Sequence, residues 1–234
     1  MIPGLAKLAA SSAPLRRMKQ ALITGGGGDL AQAIAEALRA ADWTVSAPGR
    51  AELDVCDAAA LRRFFEAISP DLLVCAAGVT RDRLLPRVSE SDWDELHAVN
   101  FHAARACAQH ALQKMRESGG GHIIFISSFS EVQPPLGQIA YASAKAALLG
   151  LTRDLARRHG PENIRVNAIL PGFLETRMTR EVSPLRLAAL QEAHSLGRFN
   201  TVSEVAKFVR FLHEDLPHTS GQFFNLDSRF SEAL

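Results

Sequence analysis

At 234 residues, 47% hydrophobic and 22% charged, the chain is long enough and apolar enough for one well-packed globular domain, which excludes wholesale disorder. Its 26 basic side chains stand against 25 acidic ones, so no net field marks nucleic acid or an anionic membrane as a partner. No apolar run in the sequence approaches the roughly 20 residues needed to span a bilayer.

In chain order, residues 1–18 come first, with Lys7, Arg16 and Arg17, no acid, and much Ala, Leu and Ser. This composition is somewhat like a transit peptide, but a second methionine, Met18, stands directly before a strand. The segment is read as an N-terminal extension ahead of a single domain over 19–234, and the protein is expected in the cytoplasm. Three cysteines (Cys56, Cys75 and Cys107) without CxxC spacing point to a reducing compartment, to small core side chains and to no metal site.

The first predicted strand covers residues 21–24 and a helix covers 30–41. Between them lies Thr24-Gly25-Gly26-Gly27-Gly28-Asp29-Leu30. Glycines let the backbone turn sharply and approach a pyrophosphate, and a helix N-terminus supplies free N–H groups and partial positive charge. Strands are then predicted at 44–47, briefly near Leu53, and at 72–76, 122–127, 164–170 and 223–226. The helices alternating with them cover 58–67, 92–117, 139–159 and 203–213, with Ser91 and Ser203 as N-caps. The strands are apolar almost throughout, as strands covered on both faces are. The repetition predicts an α/β fold: one Rossmann-type, three-layer domain with a parallel sheet of about seven strands.

The second strand ends in Ala47-Pro48-Gly49-Arg50. An acid there would bind the ribose hydroxyls of NAD(H). Arg50 instead suits the 2′-phosphate of NADP(H), by charge-assisted hydrogen bonds and stacking on adenine. Tyr141 and Lys145 lie four residues apart and so leave one helical face together. A free tyrosine ionises near pH 10, and a nearby ammonium is expected to bring that value toward working pH.

Several short motifs then arrive in a fixed order. Cys75-Ala76-Ala77-Gly78 closes a strand, Asn100 sits in a long helix, and Ser128 ends the next strand. Tyr141-Ala142-Ser143-Ala144-Lys145 follows thirteen residues after that serine, and Asn167-Ala168-Ile169-Leu170-Pro171-Gly172 closes a further strand. From Thr24 to about Leu226 the chain resembles the short-chain dehydrogenase/reductase superfamily. Within it, the segments 77–85 and 171–176 are most similar to the β-ketoacyl-acyl-carrier-protein reductases. It departs from the pattern in several places. Asp29 and Ala31 stand where glycines are usual, and Cys75 stands where an asparagine ties neighbouring strands. No helix separates the second and third strands, and residues 226–229 lack a glycine pair.

The resemblance implies an oxidoreductase that moves a hydride between NADP(H), rather than NAD(H), and a carbonyl or alcohol. Tyr141 would be the acid/base, Ser128 would hold the substrate oxygen, Lys145 would support Tyr141 and the nicotinamide ribose, and Asn100 would hold a water. Cofactor contacts are expected from Thr24, Gly25, Gly28, Asp29, Leu30, Arg50, Asp54, Val55, Ala76, Gly78, Tyr141, Lys145, Pro171, Gly172, Leu174 and Thr176. The implied substrate is a 3-oxoacyl thioester, which could be carried on acyl carrier protein. A small free ketone, polyketide, steroid-like or sugar alcohol is the alternative. Two basic positions that dock the carrier in such reductases fall on Gly119 and Glu162, with Arg157, Arg158, Arg177 and Arg180 as nearby substitutes. A non-catalytic cofactor-binding regulator would typically lose Tyr or Lys from the motif, and both are kept. Ala98, Phe101, Ala104, Ala108 and Leu112 on one long helix, with Ala146, Leu149 and Leu155 on another, predict a homodimer or homotetramer.

Overall fold

A computed structural model describes residues 18–230. The rest of the predicted extension, residues 1–17, lies outside the described residues. Six short apolar runs pair as a parallel sheet: β1 (Gln20–Thr24), β2 (Thr44–Ser46), β3 (Leu72–Cys75), β4 (Gly121–Ile126), β5 (Ile164–Leu170) and β6 (Phe223–Asn225). Their order is β2-β1-β3-β4-β5-β6. The chain leaves β1 toward one edge and returns on its other side as β3, so a crevice opens beyond the carboxyl ends of these two strands.

Helices cover both faces. On one, α1 (Asp29–Arg39) and α7 (Val202–Glu214) press Ile34, Leu38, Val205 and Val209 onto Ile23, Val74 and Ile124. On the other, α2 (Ala58–Ala67), α4 (Ala103–Ser118) and α5 (Ile139–His159) pack Leu61, Phe65, Leu112 and Leu148 against Leu22, Leu73 and Phe125. Each such side chain taken fully from water is worth about 1.5–3 kcal/mol, which is why the two faces of the strands read as continuous apolar runs.

Several expectations are corrected. The sheet has six strands, because the segment near Leu53 is a turn: the amides of Glu52 and Leu53 both donate to the Gly49 carbonyl. The predicted helix over 92–117 is three pieces: α3 (Glu90–His97), a π-helical turn (Ala98–His102), then α4. Ser89 caps α3 in place of Ser91, and Thr201 caps α7 in place of Ser203, in a reciprocal capping box with Glu204. A further helix, α6 (Pro184–Ala193), was not expected; Ser183 caps it and Pro184 opens it. Cys56 is exposed rather than in the core. Ala104, Ala108, Leu112 and Leu155, expected on an outward apolar face, are buried in the chain's own core.

Candidate active site

The first strand turns into α1 through glycines that the neighbouring backbone leaves no room to replace. Gly25 has φ +72°, and a Cβ there would lie 2.7 Å from the Ala77 Cα. A Cβ on Gly26 would lie 1.9 Å from the Ala47 carbonyl oxygen, because the segment after β2 is drawn in by the Gly26 amide donating to Pro48 O. Gly27 faces open space. Gly28 caps α1 without a side-chain acceptor, leaving the helix start to bind something else. The tight turn and the uncapped helix end fit a dinucleotide pyrophosphate.

From this turn a cleft of about 670 Å³ runs over the carboxyl ends of the strands. Of the residues expected at the site, Gly28, Asp29, Leu30, Ala76, Gly78, Ser128, Tyr141, Lys145, Pro171, Gly172, Leu174 and Thr176 line it. The others lie behind or beside the wall. The buried Thr24 hydroxyl accepts from the amides of Ala76 and Ala77 at 3.2 and 3.3 Å, a tie between β1 and the end of β3. Val55 packs its side chain into the core, which leaves only its main chain free for a cofactor. The Asp54 carboxylate accepts from the Cys56 amide and lies 3.6 Å from Arg50 Nε. Arg50 is otherwise free, with its side chain 81% exposed beside the glycine turn. Asp29 is clasped by Arg177 from across the cleft, through both its main-chain amide (2.7 Å) and its guanidinium (2.6 Å). That pairing lowers the Asp29 pKa.

Asn100 sits at the π-helical turn, a distortion frequent at functional sites. The turn directs the buried Asn100 amide inward, where Nδ2 donates to the carbonyls of Leu96 and Val79, each at 2.9 Å. Its Oδ1 accepts from the Val79 amide and crowds Gly78, where a Cβ would lie 2.9 Å from Oδ1 and 3.7 Å from Lys145 Nζ. Lys145, 4% exposed, donates to the Ile126 carbonyl at 2.8 Å, with Nζ 5.8 Å from the Tyr141 ring centre. Tyr141 bonds to the Ser128 side chain, while Ser128 Oγ also accepts from the Ser130 amide.

The expected electrostatics are overturned. Burial pushes the Tyr141 phenol up to about 12, and the Ser128 bond offsets only part of this. Burial also brings Lys145 down to about 8. The ammonium is turned to a backbone carbonyl rather than to the phenol, so desolvation outweighs its attraction. Tyr141 is therefore protonated at neutral pH, which suits an acid more than a base.

Sequence reasoning placed Gly26 in the glycine turn without singling it out, and it missed the far wall of the cleft. That wall includes Asp82, Gln138, Phe173, Arg186 and Arg229. Gln138 Nε2 donates to both Asp82 oxygens, and Arg186 reaches the same carboxylate at 3.6 Å. Only the helix start at Ser183-Pro184 could have revealed α6, which carries Arg186 here. Arg229 pairs with the buried Asp227 two residues before it and lies 4.1 Å from the ring centre of Phe129, a contact with a distant segment that no local pattern announces.

A switch-point crevice with a glycine turn at one end and a Ser-Tyr-Lys group on its wall defines a nicotinamide-dependent oxidoreductase. The chain belongs to the short-chain dehydrogenase/reductase family: residues 21–228 match a family model described as enoyl-(acyl carrier protein) reductase. It is 38% identical to the 3-oxoacyl-[acyl-carrier-protein] reductase of Aquifex aeolicus, over 83% of this chain and 80% of that one. It is 34% identical to the (3R)-3-hydroxyacyl-CoA dehydrogenase of Canis lupus familiaris, over 90% and 95%. A crystal structure titled a putative NAD(P)-dependent gluconate 5-dehydrogenase from Beutenbergia cavernae, with NADP bound at low occupancy, superposes with a TM-score of 0.82. Sequence identity there is 25%, covering 90% of this chain and 95% of that one. Among the described residues, no helix is long and apolar enough to cross a membrane and no group of three His, Cys, Asp or Glu could hold a metal.

Proposed function

We propose that the protein is an NADP(H)-dependent reductase of 3-oxoacyl thioesters. The observation that carries this reading is the placement of Ser128, Tyr141 and Lys145 on the wall of one cleft that begins at the glycine turn. A nicotinamide bound there supplies the hydride. Tyr141 holds the proton that the carbonyl oxygen takes up, and its raised pKa keeps that proton in place until needed. Ser128 donates to the same oxygen and stabilises the charge that develops on it. Lys145 binds the ribose hydroxyls, and Asn100 orients a water that returns protons toward Lys145. Thr24, Gly25, Gly28, Asp29, Leu30, Ala76, Gly78, Pro171, Gly172, Leu174 and Thr176 shape the cofactor's bed.

The thioester is favoured by the names of the two relatives and by the apolar side chains of the cleft, Phe173, Met178, Val182 and Leu190. A small free polar ketone is the second reading. The Asp82–Gln138–Arg186 group offers polar contacts across the cleft, and the gluconate dehydrogenase resembles this fold. Glu162, at a position where carrier-docking reductases are basic, is paired with Arg116 at 2.8 Å, which also favours a free substrate. Following NADPH oxidation against panels of acyl thioesters and free ketones decides between them. Turnover confined to free ketones would overturn the thioester.

The preference for NADP(H) rests on Arg50. Arg50→Ala is expected to raise KM for NADPH roughly 10- to 150-fold, the worth of a charge-assisted phosphate contact of about 1.5–3 kcal/mol, with little change for NADH. Equal effects on both cofactors would show that Arg50 does not read the phosphate.

A second copy of this chain is proposed as a partner. Burial of Ala104, Ala108, Leu112 and Leu155 shrinks the outward face, but Phe101 and Leu149 are half-buried and Ala146 is exposed. Light scattering is expected to find two or four times the chain mass of 25.3 kDa. A 25.3 kDa particle at micromolar concentration would refute assembly.

A further inference from the structure

Behind Tyr141 and Lys145 lies a carboxylate that the proposed chemistry leaves unused. Glu131 sits in the 3-10 turn Phe129–Glu131, which Ser128 caps shortly after β4 ends at Ile126. Its Oε2 takes a short hydrogen bond from Ser127 Oγ, and its Oε1 is buried without a partner. Ser127, 2% exposed, also lies 3.2 Å from the Lys145 carbonyl. A hydroxyl has one proton to give, so Ser127 can satisfy either the carboxylate or that carbonyl, but not both.

A buried carboxylate with one oxygen unsatisfied is costly unless it serves something nearby. We propose that Glu131 is a positioning residue for the Tyr141–Lys145 pair, linked to it by the Ser127 hydroxyl and by its negative charge beside the Lys145 ammonium. When Glu131 is ionised, Ser127 donates to it, and the charge favours ammonium on Lys145 and phenol on Tyr141. When Glu131 is protonated, it donates to Ser127 Oγ, Ser127 turns to the Lys145 carbonyl, and both effects vanish.

The surroundings agree. Burial lifts Glu131 to about 7, with the Ser127 bond, the Lys145 charge and a bond from the Ser128 backbone opposing, which puts its proton exchange within reach of neutral pH. Glu131 in turn raises both Tyr141 and Lys145. The charged groups facing this cluster are few. Lys145 and Tyr141 come from α5, Asp82 acts on Tyr141 from the opposite wall, and Cys75 neighbours Lys145 from β3. Arg229, over the adjoining Phe129 ring, is paired with Asp227.

This inference rests on Tyr141 and Lys145 being the proposed working pair, but its test needs no turnover. Tyr141 is the chain's only tyrosine, so tyrosinate absorbance reports that single group. In a rapid pH jump, read before alkaline unfolding begins, Glu131→Gln is expected to ionise Tyr141 about 0.5–1 pH unit below wild type, the scale of one nearby charge. Glu131→Asp, which keeps the charge, should titrate close to wild type, a distinction that a purely structural role would not produce. The alkaline limb of kcat/KM for NADPH-dependent reduction should move in the same direction in Glu131→Gln. Superimposed wild-type and Glu131→Gln titrations would overturn the proposal. A shifted titration in a protein that reduces no carbonyl would instead overturn the reductase reading and leave this one standing. If Glu131→Gln does not fold, infrared difference spectra of the wild type decide. A buried carboxyl band losing its proton near neutrality supports the proposal, and carboxyls titrating only at ordinary acidic pH overturn it.

Discussion

Tyr141→Phe is expected to lower kcat by a factor of 100 or more, on the roughly 10²–10⁴-fold scale of general acid catalysis, with NADPH still bound and the fold intact. The ring keeps its place on the first turns of α5, and only the hydroxyl is lost. That hydroxyl bonds to Ser128, and breaking a hydrogen bond of this kind costs about 1 kcal/mol, too little to unfold a domain of this size. The cofactor turn is built from other segments, so binding measured by NADPH fluorescence should persist. The chemistry has no substitute acid. Lys145 is turned to the Ile126 carbonyl and Ser128 has too high a pKa to yield its proton. A variant retaining more than about a tenth of wild-type turnover would exclude Tyr141 as the acid, since the proton transfer it removes is worth at least about 100-fold.

The fold was legible because its signals are local. Uniform apolar runs gave five strands to within a residue or so at each end, and the sixth, β2, lost only Ala47. The Thr201–Glu204 box sits on residues 201–204, and only the choice of Ser203 as cap missed it. What failed depended on backbone hydrogen bonding that the side-chain pattern does not record. The π-helical turn at Asn100 looks helical in sequence, because Ala98–His102 holds no glycine or proline to mark a break. The segment near Leu53 is apolar enough for a strand, but the carbonyl of Gly49 captures its amides first.

The site divides in the same way. Ser128, Tyr141 and Lys145 follow from spacing on one strand end and one helix face. Their electrostatics do not, because the expected ammonium–phenol attraction assumed a side-chain direction that the Ile126 carbonyl changes. The α4 and α5 faces were misjudged for a related reason. Small residues such as Ala104 and Ala108 let these helices lie close to the sheet, so residues that look surplus in sequence are already spent on the core.

Gly26→Ala is expected to be the most damaging added methyl among the described glycines. Its Cβ would stand 1.9 Å from the Ala47 carbonyl oxygen and 2.4 Å from the Ala47 carbon, both backbone atoms that cannot swing aside as a side chain can. Relief requires the segment after β2 to move away, which breaks the 2.9 Å bond from the Gly26 amide to Pro48 O. Overpacking typically costs about 1–3 kcal/mol, and the broken backbone bond adds about 1 kcal/mol. For a chain of this length, each kcal/mol lowers Tm by roughly 2–4 °C, so a fall of about 5–15 °C is expected. Cofactor binding should suffer more, because the displaced turn carries both the pyrophosphate bed and Arg50. The built-in control is Gly27→Ala, whose Cβ meets nothing within 4 Å and should leave Tm near wild type. Equal melting temperatures for the two variants would mean that the contact between the glycine turn and Ala47 is not the constraint described, and the placement of Arg50 beside the cofactor bed would fail with it.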